Sequence, residues 1–193
     1  MAIPKFDDSS ISQEVLERNR AYDGRFLKVD SVRLRLANGN ETVHEVIEHP
    51  GAVCLLVLDE NDRVLLERQP RTALDRIIVE VPAGKLEPGE DPQECARREL
   101  IEETGYRVES MEHVLSFFTA AGYSDEVLHI FFAKGATAGE KQPEEDELIA
   151  TFWLNAEEFV DCVLNGTIQD SKTVICGLWL AQKRLRDKLA ASE

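Results

Sequence analysis

Three glutamates, Glu99, Glu102 and Glu103, fall at helical spacing in the stretch Arg97-Arg98-Glu99-Leu100-Ile101-Glu102-Glu103-Thr104-Gly105. At about 100° per residue they lie within about 100° of arc, so one helical face would carry three carboxylates. Like charges three and four residues apart repel, and a positive partner belongs on that face. Mg²⁺ or Mn²⁺ suits it, because these ions prefer oxygen ligands, and magnesium is typically held by a few carboxylates together with substrate phosphates and water. For the glutamates taken alone, a solvated acidic helix face is the competing reading. The loop ahead of them weighs against it. Gly84 and Gly89 permit unusual backbone angles, and Glu90 and Arg98 are spaced to join loop and helix as an ion-paired clamp.

The elements that must position these groups are marked in the sequence. Asp91 reads as an N-cap, Pro92 as the first helical residue, Glu94 as the partner of a capping box and Gly105 as the stop, which predicts a helix over 93–104. Ahead of it, Val32, Leu34 and Leu36 alternate with arginines, and Asn38-Gly39 leads to Val43, Val46 and Ile47, the pattern of a hairpin. Pro50-Gly51 breaks that pattern, and a strand pair is expected over 52–58 and 64–66, then a short strand over 77–81. Strands are expected at 108–118, 127–133 and 152–154, and amphipathic helices at 156–164 and 171–190. Residues 1–12 read as a loose tail, and the pattern tightens only from Phe26. Strands with intercalated helices predict an α+β or α/β/α layered domain over 51–193, preceded by a β-rich segment within 1–50.

The 193 residues carry 22 Lys and Arg against 37 Asp and Glu, a formal charge of -15. That balance argues against a protein that neutralises nucleic-acid phosphates or anionic lipid, so neither nucleic acid nor membrane is expected as a partner. The longest apolar run, Ala52–Leu58, is about a third of what a membrane helix needs. The start has no apolar signal core, so a cytoplasmic setting is expected. Cys54, Cys95, Cys162 and Cys176 form no close pairs and read as reduced packing residues, and His44, His49, His113 and His129 show no ligand spacing.

Gly84, Glu90, Arg98, Glu99, Leu100, Glu102, Glu103 and Gly105 together match the Nudix box, G-x5-E-x7-R-E-U-x-E-E-x-G-U, with Tyr106 at its last hydrophobic place. The chain resembles the ADP-ribose pyrophosphatase branch of the Nudix hydrolases. The likeness extends through His49-Pro50-Gly51, the run from Leu66 to Arg71, Glu80-Val81-Pro82-Ala83-Gly84-Lys85-Leu86-Glu87, Gly122-Tyr123-Ser124-Asp125-Glu126 and Gly166-Thr167-Ile168. The resemblance implies an α/β fold, a Nudix α/β/α sandwich with an N-terminal antiparallel β-rich dimerisation segment. It also implies Mg²⁺-dependent or Mn²⁺-dependent hydrolysis of ADP-ribose to AMP and ribose 5-phosphate in a homodimer, with two or three ions per site. By the same resemblance Glu99, Glu103 and the Ala83 carbonyl are metal ligands, with Glu147 contributing, Glu102 either contributing or orienting Arg98, and Glu90 and Arg98 as the clamp. Glu145 is the expected general base, with Glu144 its alternative in the acidic run 144–147. Arg71 is expected on phosphate with Arg68 as a lesser partner, Lys85, Gly122 and Glu126 along the ribose and phosphate region, and Phe26 and Arg25 as substrate-binding residues of the N-terminal segment that, in this branch, reaches into the second subunit. Where the branch carries Pro before the glycine, this chain has Ala121. Two other readings stand beside it: another nucleoside diphosphate sugar such as ADP-glucose or GDP-mannose, and a non-catalytic ADP-ribose-binding module.

Overall fold

A computed structural model of the chain describes residues 3–141 and 148–192. Two compact units divide it, one formed by Met1–His49 with Phe118–Val127 and the other by Pro50–Phe117 with Leu128–Glu193.

The first unit is built on a three-stranded antiparallel sheet of β1 (Gln13–Asp23), β2 (Lys28–Leu36) and β3 (Glu41–Glu48), in that order. The Asn38-Gly39 turn expected from sequence joins β2 to β3, with Gly39 at φ 84°. β1 corrects the reading of a patternless start. Its residues are almost all exposed, so no apolar periodicity marks it. Ion pairs across the sheet accompany it instead: Arg35 reaches Glu14 at 3.0 Å, while Arg18 and Arg20 reach the buried Asp30 at 3.3 and 2.8 Å. The segment from residue 118 to residue 127 is bound to the end of β3, where the Ile47 N–H donates to the Tyr123 carbonyl (2.7 Å).

The second unit holds a seven-stranded mixed sheet. Its strands are β4 (Ala52–Leu58), β5 (Arg63–Arg71), β6 (Arg76–Glu80), β7 (Ala83–Lys85), β9 (Met111–Phe118), β10 (Val127–Lys134) and β12 (Ala150–Asn155). The short strands β8 (Tyr106–Arg107) and β11 (Thr137–Ala138) pair apart from it. The main order is β12-β5-β4-β10-β9, with β4 and β10 parallel. All seven residues of β4 are buried, which explains its unbroken apolar run. Alternation then assigns its two faces. Ala52, Cys54, Leu56 and Leu58 pack with Phe159 and Val163 of α2 (Ala156–Leu164) and with Cys176 and Leu180 of α3 (Ser171–Ala190). Val53, Leu55 and Val57 pack with Cys95 and Ala96 of α1 (Pro92–Glu99) and with Leu100 just beyond it. The unit is therefore an α/β/α sandwich. Among the described residues no helix is long and apolar enough to cross a membrane.

One departure from regular pairing prepares the site. β4 and β5 are registered only at Leu58 and Val64; beyond that point β5 pairs with β6 and β4 pairs with β7. The chain passes from one to the other at Val81-Pro82, and the Pro82 carbonyl accepts from the Leu55 N–H (2.9 Å). Ala83 and Gly84 thus sit where the sheet splits.

Candidate active site

The helix that carries the glutamates starts as its sequence predicts. The Asp91 carboxylate accepts from the N–H groups of Gln93 (2.9 Å) and Glu94 (3.3 Å), with Pro92 in the first turn. It does not continue regularly to residue 104. After Glu99 the chain makes a π-helical turn, Leu100–Thr104, closed by Gly105 at φ 76° and by the Gly105 N–H on the Ile101 carbonyl (2.9 Å). This widened turn redistributes the three carboxylates that an ideal wheel puts on one face. Glu103 is drawn inward to 2% exposure and accepts from the Ala83 N–H (3.0 Å), while Glu102 stays half-buried on the outer side. The Glu99 carboxyl lies over Gly84, so close that a Cβ there would stand 1.8 Å from Glu99 Cδ. The box glycine is required by that contact.

Arg98 ties these groups together. Its Nε and Nη2 donate to the two oxygens of Glu90 (2.9 Å each), its Nη1 to Glu99 (2.9 Å) and Glu102 (3.0 Å), and its Nη2 also to the Lys85 carbonyl (3.1 Å). Glu90 is further anchored by the Glu87 N–H (2.9 Å). The Arg98 guanidinium holds the Glu90 carboxyl down to about 2, and these carboxylates in turn raise Arg98 above its ordinary value. As the side chains stand, no three acidic, histidine or cysteine groups among the described residues converge in metal-ligand geometry. The donor chemistry nonetheless fits a hard divalent cation. Three carboxylates, Glu90, Glu99 and Glu102, contact one guanidinium, an excess of two negative charges, the buried Glu103 adds a further carboxylate at the Ala83 N–H, and Gly84 gives the Glu99 carboxyl its place.

On the far side of the split, Arg71 is already engaged. Its Nε and Nη2 donate to the two oxygens of the buried Glu80 (2.6 and 2.8 Å), which leaves the Nη1 edge for another anion. Glu80 also accepts from Lys172, which pairs with Asp170 at 3.1 Å. Asp170 caps α3 and binds the Thr173 hydroxyl (2.6 Å), which accepts from the Val81 N–H (3.0 Å). Glu80, Lys172 and the fully buried Glu67 were not singled out as functional from sequence. Two signals mark them: Lys172 places a cation in the first turn of a helix, against its dipole, and Glu67 extends the buried run Val64-Leu65-Leu66 with a charge.

In the first unit, Glu126 accepts from the Thr119 hydroxyl and pairs with His49 Nε2 at 3.4 Å, and His49 meets the Phe26 ring edge-on at 5.6 Å. His49, which shows no ligand spacing in the sequence, thus joins two of the expected substrate-binding residues. Gly122 lies exposed in the neighbouring turn, and Arg25 is exposed beside Phe26. Arg68 and Lys85 belong to the second unit, on β5 and β7. Glu144, Glu145 and Glu147 lie outside the described residues.

A split mixed sheet and a capped helix that gathers carboxylates around an arginine form this site. The NUDIX domain model matches residues 48–175, and the chain belongs to that family, the Nudix hydrolases. It is 37% identical over 179 residues to a methanol dehydrogenase activator of Bacillus methanolicus, covering 91% of this chain and 97% of that protein. It is 32% identical over 176 residues to an ADP-ribose pyrophosphatase of Bacillus subtilis (strain 168), covering 90% and 95%. In fold it is similar to the crystal structure of an ADP compounds hydrolase, with a TM-score of 0.79, 20% identity and coverage of 91% and 95%.

Proposed function

We propose that this protein is an ADP-ribose pyrophosphatase that hydrolyses ADP-ribose to AMP and ribose 5-phosphate with Mg²⁺, two or three ions per site. The observation that carries this reading is the excess of carboxylate around Arg98 at the split of the sheet, on a chain similar along nearly its whole length to an ADP-ribose pyrophosphatase. Glu99, Glu103 and the Ala83 carbonyl hold the metal, joined by Glu102 and by Glu147. When bound, the ions supply Lewis acidity toward water and the diphosphate oxygens. Glu145 takes the proton of the attacking water as the bond to phosphorus forms and the bridging P–O bond breaks. Arg71 presents its Nη1 edge to phosphate, Lys85, Gly122 and Glu126 serve the ribose and phosphate groups, and Phe26 and Arg25 serve the second subunit. The enzyme works as a homodimer through its N-terminal unit.

Turnover of ADP-ribose, ADP-glucose and GDP-mannose with Mg²⁺, with product identification, tests this. ADP-ribose is expected to give the highest kcat/KM and to release AMP. A preference for either sugar nucleotide sinks the assignment. Glu103→Gln is expected to lower kcat on the order of a thousandfold by removing a ligand and a buried charge.

A further inference from the structure

Behind Arg71 lies a buried group that the reaction above does not use. Glu67 and Gln69 follow Leu65 on one face of β5, and Glu67 stands in register with Glu80 across β6 and with Thr151 across β12. Glu67 is fully buried, and among the described residues neither of its carboxyl oxygens has a hydrogen-bond partner; the buried Gln69 Oε1 lacks one there too. An ionised carboxylate in that position would lie away from solvent with no donor among the described residues, which burial does not tolerate. The surrounding charges point the same way. Glu80 on β6, Asp170 at the start of α3 and Glu67 face two cations, Arg71 and Lys172, with Lys141 further out. Three carboxylates against two close cations balance only when one carboxyl is neutral, and Glu67 is the one that no cation among the described residues contacts.

We propose that Glu67 is a positioning residue that stores a proton, and that its neutral carboxyl keeps Glu80 free to orient Arg71 toward the substrate phosphate. This rests on the reading of Arg71 as a phosphate ligand. Burial, with the neighbouring Glu80, pushes the Glu67 carboxyl up to about 8, so the proton is held at neutral pH and lost in mild alkali. Losing it puts a second buried negative charge beside Glu80. That charge draws on Arg71 and repels the incoming diphosphate, so it acts on substrate affinity more than on the bond-breaking step.

The test is kcat and KM for ADP-ribose, from about pH 6 to about pH 9.5 at saturating Mg²⁺, in wild type, Glu67→Gln and Arg71→Gln. Glutamine has the shape of a neutral glutamic acid. Glu67→Gln is expected to keep the wild-type KM at neutral pH and to abolish a rise in KM, on the order of tenfold per pH unit at most, that wild type shows above about pH 8. Infrared spectroscopy at neutral pH is expected to show the C=O stretch of a protonated carboxyl in wild type and not in Glu67→Gln. A raised neutral-pH KM in Glu67→Gln, an alkaline limb that survives the substitution, or a missing carboxyl band overturns the proposal. An Arg71→Gln variant with wild-type KM removes the phosphate-binding reading instead, and the infrared band still reports the Glu67 proton.

Discussion

At the scale of single residues, charge placement dominates this protein. The Glu90–Arg98 pair joins the loop to α1 through two parallel hydrogen bonds, and the Glu90 side chain is only 16% exposed, so solvent screens it weakly. Its folded value lies near 2, below the ordinary carboxylate value of 4.5. The linked stability is therefore fully present above about pH 4.5 and lost as pH falls from there through about 2, amounting to about 1 to 3 kcal/mol. Urea midpoints measured against pH in metal-free buffer are expected to fall along this limb in wild type and to be flatter in Glu90→Gln; parallel curves would show that the clamp adds nothing. Glu67 acts in the opposite sense. Its folded value is raised, so its linked contribution is lost as pH rises toward about 8. The clamp was legible in the sequence because both partners belong to one local motif. The Glu67 cluster was not, because Glu80, Asp170 and Lys172 reach it from distant parts of the chain.

At the scale of elements, the site depends on how β7 meets α1. Gly84 on β7 lies under the Glu99 carboxyl, and any side chain there displaces it. Gly84→Ala is expected to lower kcat on the order of a hundredfold, as a shift of about 1 Å in a reacting group can do, while the circular dichroism spectrum stays that of wild type. Activity within about twofold of wild type would show that Glu99 need not hold that place. The start of α1 was readable from Asp91 and Pro92, since a helix N-terminus is satisfied by its own neighbours. The π-helical turn was not, because Leu100–Thr104 has good helix formers and nothing local that demands a widened turn. Burial of Leu100 against Val53 and Leu55, and the Glu103 bond to the Ala83 N–H, accompany it. β1 escaped notice for a related reason, its few apolar residues giving no strand period.

At the scale of the whole molecule, the N-terminal unit leaves Val15, Tyr22, Val43, Phe118 and Tyr123 exposed, more apolar surface than a solitary small sheet needs to show. Multi-angle light scattering is expected to give twice the chain mass at micromolar concentration; a monomer would remove the proposed homodimer. By itself the sequence determined the family, the carboxylate motif and the layered class, because box spacing, capping and apolar period are local codes. It also attached part of the net charge of -15 to the box carboxylates. Only the tertiary structure decided which of those charges are buried and paired. The split between β4 and β5 brings Ala83 and Gly84 under Glu99 and Glu103, and the same split sets Arg71 against Glu80 and Lys172. Burial depends on what the rest of the chain places around a side chain, so the local signals at Glu67 and Lys172 mark an out-of-place charge and not the partners that surround it.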